Sequence, residues 1–256
     1  MSRHKQMSLQ LHDNMLAFNA LSCSEIFHGA FNRFGGVSPA PWDSRNVAFG
    51  LGDAPQNVAT NRARIKKALG CSSLVSARQV HQSRVYTVNE NPGKDFEVDG
   101  FDALITNVRG LGLMIQQADC QAVLLFDPGN AAVGIAHAGW RGSVADIIGA
   151  TVLAMQSAYA TDPEGLLAAI SPSLGPCCAE FVNFRTELPA SFHGFQVRPD
   201  FFDFWAISRN QLHAAGVRPG NIHVAEVCTC CNQDYFSYRR ERNTGRFATV
   251  IGLRQR

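Results

Sequence analysis

The sequence predicts a single-domain α+β fold, a layered sandwich in which helices flank mixed sheets. Two consecutive runs, QAVLLF (121–126) and AAVGIAH (131–137), are apolar on both faces, so each strand must be covered on two sides. Helical and strand patterns mix along the chain without strict βαβ alternation, which points away from an all-parallel sheet. No internal repeat, low-complexity tract or dividing linker interrupts the 256 residues, so residues 21–256 are expected to form one domain behind an N-terminal arm, 1–20.

The arm reads as a polar extension or a short helix. GGVSPAP (35–41) and residues 91–100 are rich in proline and glycine and read as surface loops. A helix is predicted over 55–69, with Val58, Ile65, Ala68 and Leu69 on one side and Gly70 ending it. Strands follow at 83–88, 103–106, 111–117 and 121–126. Asp127-Pro128-Gly129-Asn130 is a turn signal that returns the chain as a hairpin strand over 131–137. Beyond Gly139-Trp140-Arg141-Gly142-Ser143, the residues Val144, Ile147, Ile148, Val152, Met155 and Tyr159 recur at helical spacing, and Ser143 with Asp146 resembles a capping box. A further helix is expected near 201–215, stopped by Gly216 with Pro219 beyond it. NIHVAEV (221–227) and ATVIGL (248–253) add strands.

Composition narrows the class. With 46% hydrophobic and 17% charged residues, a chain of this length buries a core without needing disulfides. Net charge is +2 and the basic residues are scattered, so no nucleic-acid partner is inferred. The eight cysteines are spread along the chain and partly adjacent, which suits free thiols in a reducing compartment. The N-terminus has no apolar stretch of signal-peptide type, and no apolar run reaches membrane-spanning length. A cytoplasmic location without a membrane partner is expected, as a monomer or homodimer.

The hairpin makes a geometric prediction. If Phe126 pairs with Ala131, Cys120 stands opposite His137, and opposed residues have Cβ atoms roughly 5 Å apart on one face. One metal ion bridges two ligands at about that separation. His81, in RQVHQSRV at the mouth of a strand, is the best-placed third ligand. A Cys and two His leave the fourth position open, the catalytic rather than the structural pattern. Read alone, a histidine at a strand end is more often a polar core or surface residue.

The segments QVH (79–81), DGFDALITN (99–107), ADC (118–120), HAGWRG (137–142), GPCC (175–178), CT (228–229) and FSYRRERNTGR (236–246) resemble the laccase-domain, YfiH-like family. That family was once labelled multicopper polyphenol oxidase and was later linked to purine nucleoside phosphorolysis. The resemblance runs from about His28 to Leu253. It implies an α/β/β/α domain with zinc on His81, Cys120 and His137, and a purine nucleoside and phosphate as substrates. The sequence departs from the family's usual pattern at Gln121, an apolar position elsewhere, at Ala179, often Tyr, and at Arg45, usually Leu.

Around the expected metal, Arg141 falls at a helix start where free N–H groups favour an anion, although a surface loop arginine would look the same. Trp140 suits stacking on a purine or packing between layers. Asp119 can orient a ligating histidine, carry a proton or merely cap a strand. Arg45, Asn46 and Arg239 are further candidates for phosphate or substrate, and Arg239-Arg240 can equally be an exposed basic hairpin. CTCC (228–231) lacks the paired CxxC spacing of structural zinc modules, so it and Cys177-Cys178 read as buried thiols.

Three functions compete. The resemblance implies phosphorolysis of adenosine, inosine or methylthioadenosine by phosphate, with Cys120, His137, Asp119 and Arg141 as the catalytic set; a metal that acidifies its water extends this to adenosine deamination. Copper-dependent phenol oxidation is disfavoured by eight histidines with no His-x-His pair, although copper can occupy a Cys/His site opportunistically. A Cys120–His137 amidase of the peptidoglycan-precursor-editing type needs a free thiolate, which a zinc ion would tie up.

Overall fold

The computed structural model of the chain describes residues 10–12 and 14–255. Along the chain lie β1 (Gln10–His12), β2 (Met15–Ala17), β3 (Ile26–Phe31), α1 (Pro55–Leu69), β4 (Ser73–Arg78), β5 (Val85–Thr87), β6 (Phe96–Asp99), β7 (Ala103–Thr106) and β8 (Leu111–Gln117). The central hairpin is β9 (Gln121–Asp127) and β10 (Ala132–Ala138), followed by α2 (Trp140–Val144) and α3 (Ile147–Tyr159). Then come β11 (Leu167–Ile170), α4 (Phe184–Glu187), β12 (Gln196–Arg198), β13 (Phe201–Phe202), α5 (Phe204–Ala214), β14 (Ile222–Val224), α6 (Tyr238–Glu241) and β15 (Phe247–Leu253).

Two mixed sheets are stacked, one ordered β1-β2-β3-β15-β8-β4-β6 and the other β14-β11-β9-β10-β7-β5. Strand alternation assigns each side chain to a layer. Leu124, Phe126, Val133 and Ile135 point between the sheets and meet Leu113, Ile115 and Ile251 of the first sheet. Their neighbours Val123, Leu125, Ala132 and Ala136 point the other way and pack under Ile148, Val152 and Met155 of α3 and Leu212 of α5. On the far side, Ile65 and Leu69 of α1 close over Leu74, Met114 and Val250. The result is the expected α/β/β/α layering, and it explains why the hairpin strands are apolar on both faces.

Several local expectations are corrected. The described part of the arm is neither extension nor helix: β1 and β2 form the edge of the first sheet; the rest of the arm lies outside the described residues. Ala68 is exposed on α1, while Asn61 and Arg62 take the buried side. The strand expected at 83–88 shortens to Val85–Thr87, and that at 221–227 to Ile222–Val224. Phe201 belongs to β13, and α5 starts only after Asp203, whose carboxylate accepts the Ala206 N–H as its N-cap. The capping box dissolves into two helices. Asp146 is itself the N-cap of α3, accepting from Gly149 N, and Ser143 lies inside α2.

The hairpin register also shifts. Asp127 stays in β9 because its carboxylate accepts the N–H groups of Gly129 and Asn130, and Ala131 turns with φ 48°, so the loop is Pro128–Ala131. Asp127 therefore pairs with Ala132 and His137 with Ala122, not with Cys120. The slip is two residues, and an even slip keeps every side chain on its face.

Leu124 is fully enclosed between the sheets. Leu124→Ala is expected to lower the unfolding free energy by about 2–5 kcal/mol in urea titrations. A loss below about 1 kcal/mol would mean that the two sheets are not closely packed there.

Candidate active site

Four side chains converge where strand ends from both sheets meet. His137 is the penultimate residue of β10, on its inter-sheet face. Cys120 lies one residue before β9, and Asp119 before it has φ 87°, which turns the chain sharply out of β8. His81 follows β4 at φ 60°. Asp102 precedes β7 and continues the β7–β10 ladder: the His137 N–H donates to the Asp102 carbonyl at 2.7 Å.

Asp102 organises the group. Its side chain is fully buried, and its carboxylate accepts the backbone N–H groups of Val80, His81 and Gln82 at 3.2, 2.8 and 2.9 Å. The same carboxylate takes the Nδ1–H of His137 at 2.9 Å. Burial alone would raise the Asp102 pKa; the hydrogen bonds from His137 and from the backbone of Gln82 and His81 outweigh it and hold the group ionised, below the usual carboxylate range. With Nδ1 committed to Asp102, Nε2 is the His137 nitrogen on the Cys120 side, and it would bind a metal on giving up its proton.

The donor atoms of His81, Cys120 and His137 lie within 4.8 Å of one another, with Cys120 Sγ 4.0 Å from His81 Nε2. The two imidazoles meet edge to face at 4.8 Å. Burial pushes the Cys120 thiol up, yet the His137 and His81 imidazoles overcome this and bring it well below an ordinary thiol. Burial likewise lowers His137, and the Cys120 thiolate and Asp102 reverse it. A thiolate and two imidazoles, one with its tautomer set by a carboxylate, fit a zinc-type ion with one position open. Gly139 makes room: a Cβ there would sit 2.8 Å from Cys120 Sγ and 3.0 Å from His81 Cδ2.

Two cavities share this wall. The first, about 390 Å³, is bordered by His81 and Cys120, by the rings of Trp140, Phe181 and Phe204, and by the cations Arg141, Arg239 and Arg242. The second, about 800 Å³, is bordered by His81, Cys120, His137, Arg78, Glu97 and Arg246. Tyr238 stands between them. Both lie in the size range of small-molecule sites.

A family model described as multi-copper polyphenol oxidoreductase laccase matches residues 27–254. The chain belongs to this family. Purine nucleoside phosphorylase ORF3 of Streptomyces griseus is 37% identical over 234 residues, covering 88% of this chain and 94% of its own. Purine nucleoside phosphorylase YfiH of Escherichia coli is 34% identical over 233 residues, covering 86% and 91%. The crystal structure of YlmD from Geobacillus stearothermophilus has a TM-score of 0.87 at 32% identity, across 96% of this chain and 99% of that one.

Not every residue singled out in the sequence reaches the cavities. Arg45 is buried over the Phe31 ring and donates to the Asn14 carbonyl. Asn46 is fully buried and ties Ala48, Asp53 and the Arg246 N–H together. Neither borders the two cavities described above. Asp119 is not the carboxylate behind a ligating histidine, a place Asp102 holds; it accepts instead from the Thr229 hydroxyl at 2.7 Å and the Arg239 N–H at 2.6 Å. Arg240 is committed to the carbonyls of Thr229, Cys230 and Tyr235, whereas Arg239 borders the first cavity. Gln121, polar where the family is usually apolar, is buried but satisfied, donating to the Phe204 carbonyl and accepting from Ser208. Ala179 borders the first cavity, so a larger residue there would narrow it.

Sequence reasoning missed Asp102, Arg242 and Arg246 as site residues, although DGFDALITN and FSYRRERNTGR contain them. Phe181 and Phe204 carry no local signal, because tertiary packing alone brings them to the cavity.

Elemental analysis of protein purified without chelators should show Cys120→Ala and His137→Ala each losing one metal equivalent relative to the parent, and His81→Ala holding that equivalent weakly. Unchanged metal content in all three variants would contradict the site.

Proposed function

We propose that the chain is a zinc-dependent purine nucleoside phosphorylase, acting on adenosine, inosine or methylthioadenosine with phosphate. The observation that carries this reading is a Cys/His triad of which His81 and Cys120 border a cavity that offers both aromatic faces and guanidinium groups. Phe181, Phe204 and Trp140 suit the flat purine. Arg141, stacked at 4.1 Å on the Trp140 ring, stands where it can take an oxyanion as well as brace the indole. Arg239 and Arg242 add charge at the same cavity.

In the reaction, a phosphate oxygen forms a bond to ribose C1′ while the N-glycosidic bond breaks. Its electron pair leaves with the purine, which then gains a proton, giving free base and ribose 1-phosphate. The cationic side chains hold the attacking phosphate and offset its charge. Aromatic walls orient the base and exclude water. His81, Cys120 and His137 would hold the zinc, which supplies Lewis acidity beside the reacting groups. Asp102 keeps His137 in the metal-binding tautomer, and Asp119 fixes the backbone of Arg239. Adenosine deamination at C6 is a second use of the same cavity.

One observation favours a different reading. Cys120, His137 and Asp102 also form a nucleophile, base and orienting carboxylate, the arrangement of a thiol amidase. Zinc on Cys120 removes that option. Among the described residues only two imidazoles, His81 and His137, join a metal-ligating cluster, too few for coupled copper centres.

Chromatography of adenosine and inosine incubations should show free base and ribose 1-phosphate only when phosphate is present; inosine formed from adenosine without phosphate would be the deaminase. Intact nucleosides alongside cleavage of an amide or peptidoglycan fragment would overturn the assignment.

Arg141→Ala is expected to raise the phosphate KM and lower turnover by roughly ten- to a hundredfold together, with melting temperature and zinc content nearly unchanged. Arg141→Lys should recover only part, because an ammonium lacks the planar fork. Normal phosphate dependence with a much lower melting temperature would make Arg141 structural and move the anion site towards Arg239 or Arg246.

A further inference from the structure

A second group of soft ligands lies outside the triad. Cys177, Cys178, Cys228 and Cys231 bring their four Sγ atoms within 4.8 Å of one another. Cys231 Sγ is 3.5 Å from that of Cys177 and 3.4 Å from that of Cys178. Cys177 and Cys231 are exposed, so the expectation of buried thiols is corrected. Cys228 and Cys231 are one CxxC arm, and the second pair comes from a segment some fifty residues earlier, invisible to local spacing. Cys230 is left out of the group.

Each pair sits on a tight turn. Cys178 and Ala179 donate back to the Gly175 carbonyl, and Asn232 donates to that of Cys228. The turns are bound to each other by Ser173 N–H to Val227 carbonyl at 3.1 Å and Thr229 N–H to Ser173 carbonyl at 3.0 Å. Gly175 permits the approach: a Cβ there would stand 2.9 Å from the Cys228 Cβ and 3.0 Å from the Trp205 ring.

We propose that these four cysteines bind one zinc ion as a structural tetrathiolate site, distinct from the His/Cys centre, that clasps together two walls of the first cavity. Four sulfurs at about 2.3 Å from one ion in a tetrahedron are about 3.8 Å apart, a few tenths of an ångström more than the 3.4 and 3.5 Å contacts of Cys231 and within the 4.8 Å that spans all four. The contacts of 3.4 and 3.5 Å are far beyond a disulfide bond of about 2.05 Å. Loading exchanges the thiol protons for the metal: four S–H bonds break, four Zn–S bonds form, up to four protons leave, and the site ends with charge −2. The surroundings answer that charge. The Gly175 N–H donates to Cys228 Sγ at 3.3 Å. Arg198 donates to the Cys177 carbonyl and Arg240 to the Cys230 carbonyl, which brings two guanidinium groups alongside the cluster.

The clasp has a purpose in the fold. One turn leads into Ala179 and Phe181, the other into Tyr238, Arg239 and Arg242, all on the first cavity.

The test uses full-length Cys120→Ala, grown with zinc and purified without chelator, so that the triad has lost its sulfur. The expected result is close to one zinc per chain, with X-ray absorption showing four sulfur neighbours. Adding Cys178→Ser and Cys231→Ser should remove that zinc. Free thiols at Cys177, Cys178, Cys228 and Cys231, located by alkylation and peptide mapping in zinc-exposed protein, would overturn the proposal, as would a disulfide among them or zinc with a nitrogen-rich shell. Should the triple variant fail to fold, the absorption spectrum of Cys120→Ala still decides.

Discussion

The site depends on one buried carboxylate. Asp102 collects three consecutive backbone N–H groups from the turn carrying His81 and the ring N–H of His137. An unpaired buried charge would be costly, and here it is offset by four donors, which makes each of them hard to move. A turn whose residue sits at positive φ, a strand end and a histidine tautomer are thus locked by a single group. Cys120 needs no such help, because the sharp bend at Asp119 and the adjoining start of β9 already aim it at the same point.

The layered architecture explains why the chemistry collects there. Residues facing between two stacked sheets are sealed by the opposite sheet along most of each strand, and only at the strand ends does that layer open. His137, Cys120 and Asp102 occupy those ends on the inter-sheet side. They keep a desolvated setting, which strengthens their mutual electrostatics, while His81 and the cavities beyond remain accessible. Trp140, Phe181 and Phe204 then extend the apolar wall outward, and Arg141, Arg239, Arg242 and Arg246 supply positive charge around the two cavities.

Much of this was legible in the sequence, for identifiable reasons. Period-two and two-faced apolar patterns revealed the central hairpin, and α1 was bounded by Pro55 and the left-handed Gly70. The hairpin register was misjudged because the Asp127 carboxylate draws the turn one residue later. The ligand pair nevertheless survived, since a slip of two leaves Cys120 and His137 facing the same layer. Asp102 was not assigned a role because an aspartate before a strand resembles any turn residue until its ladder partner is known. The four-cysteine cluster escaped because half of it comes from another segment. Arg45 and Asn46, candidate phosphate or substrate residues in the sequence, are turned inward by the fold of their loop.

The central claim is that Asp102 sets the proton on His137 Nδ1 and frees Nε2 for the metal. Nitrogen-15 histidine NMR of the zinc-loaded protein tests it most directly, with His137 assigned by loss of its signals in His137→Ala. The expected spectrum shows the proton on Nδ1, shared with the Asp102 carboxylate, and a Nε2 shift characteristic of metal coordination. A proton on Nε2 with Nδ1 bare would contradict it.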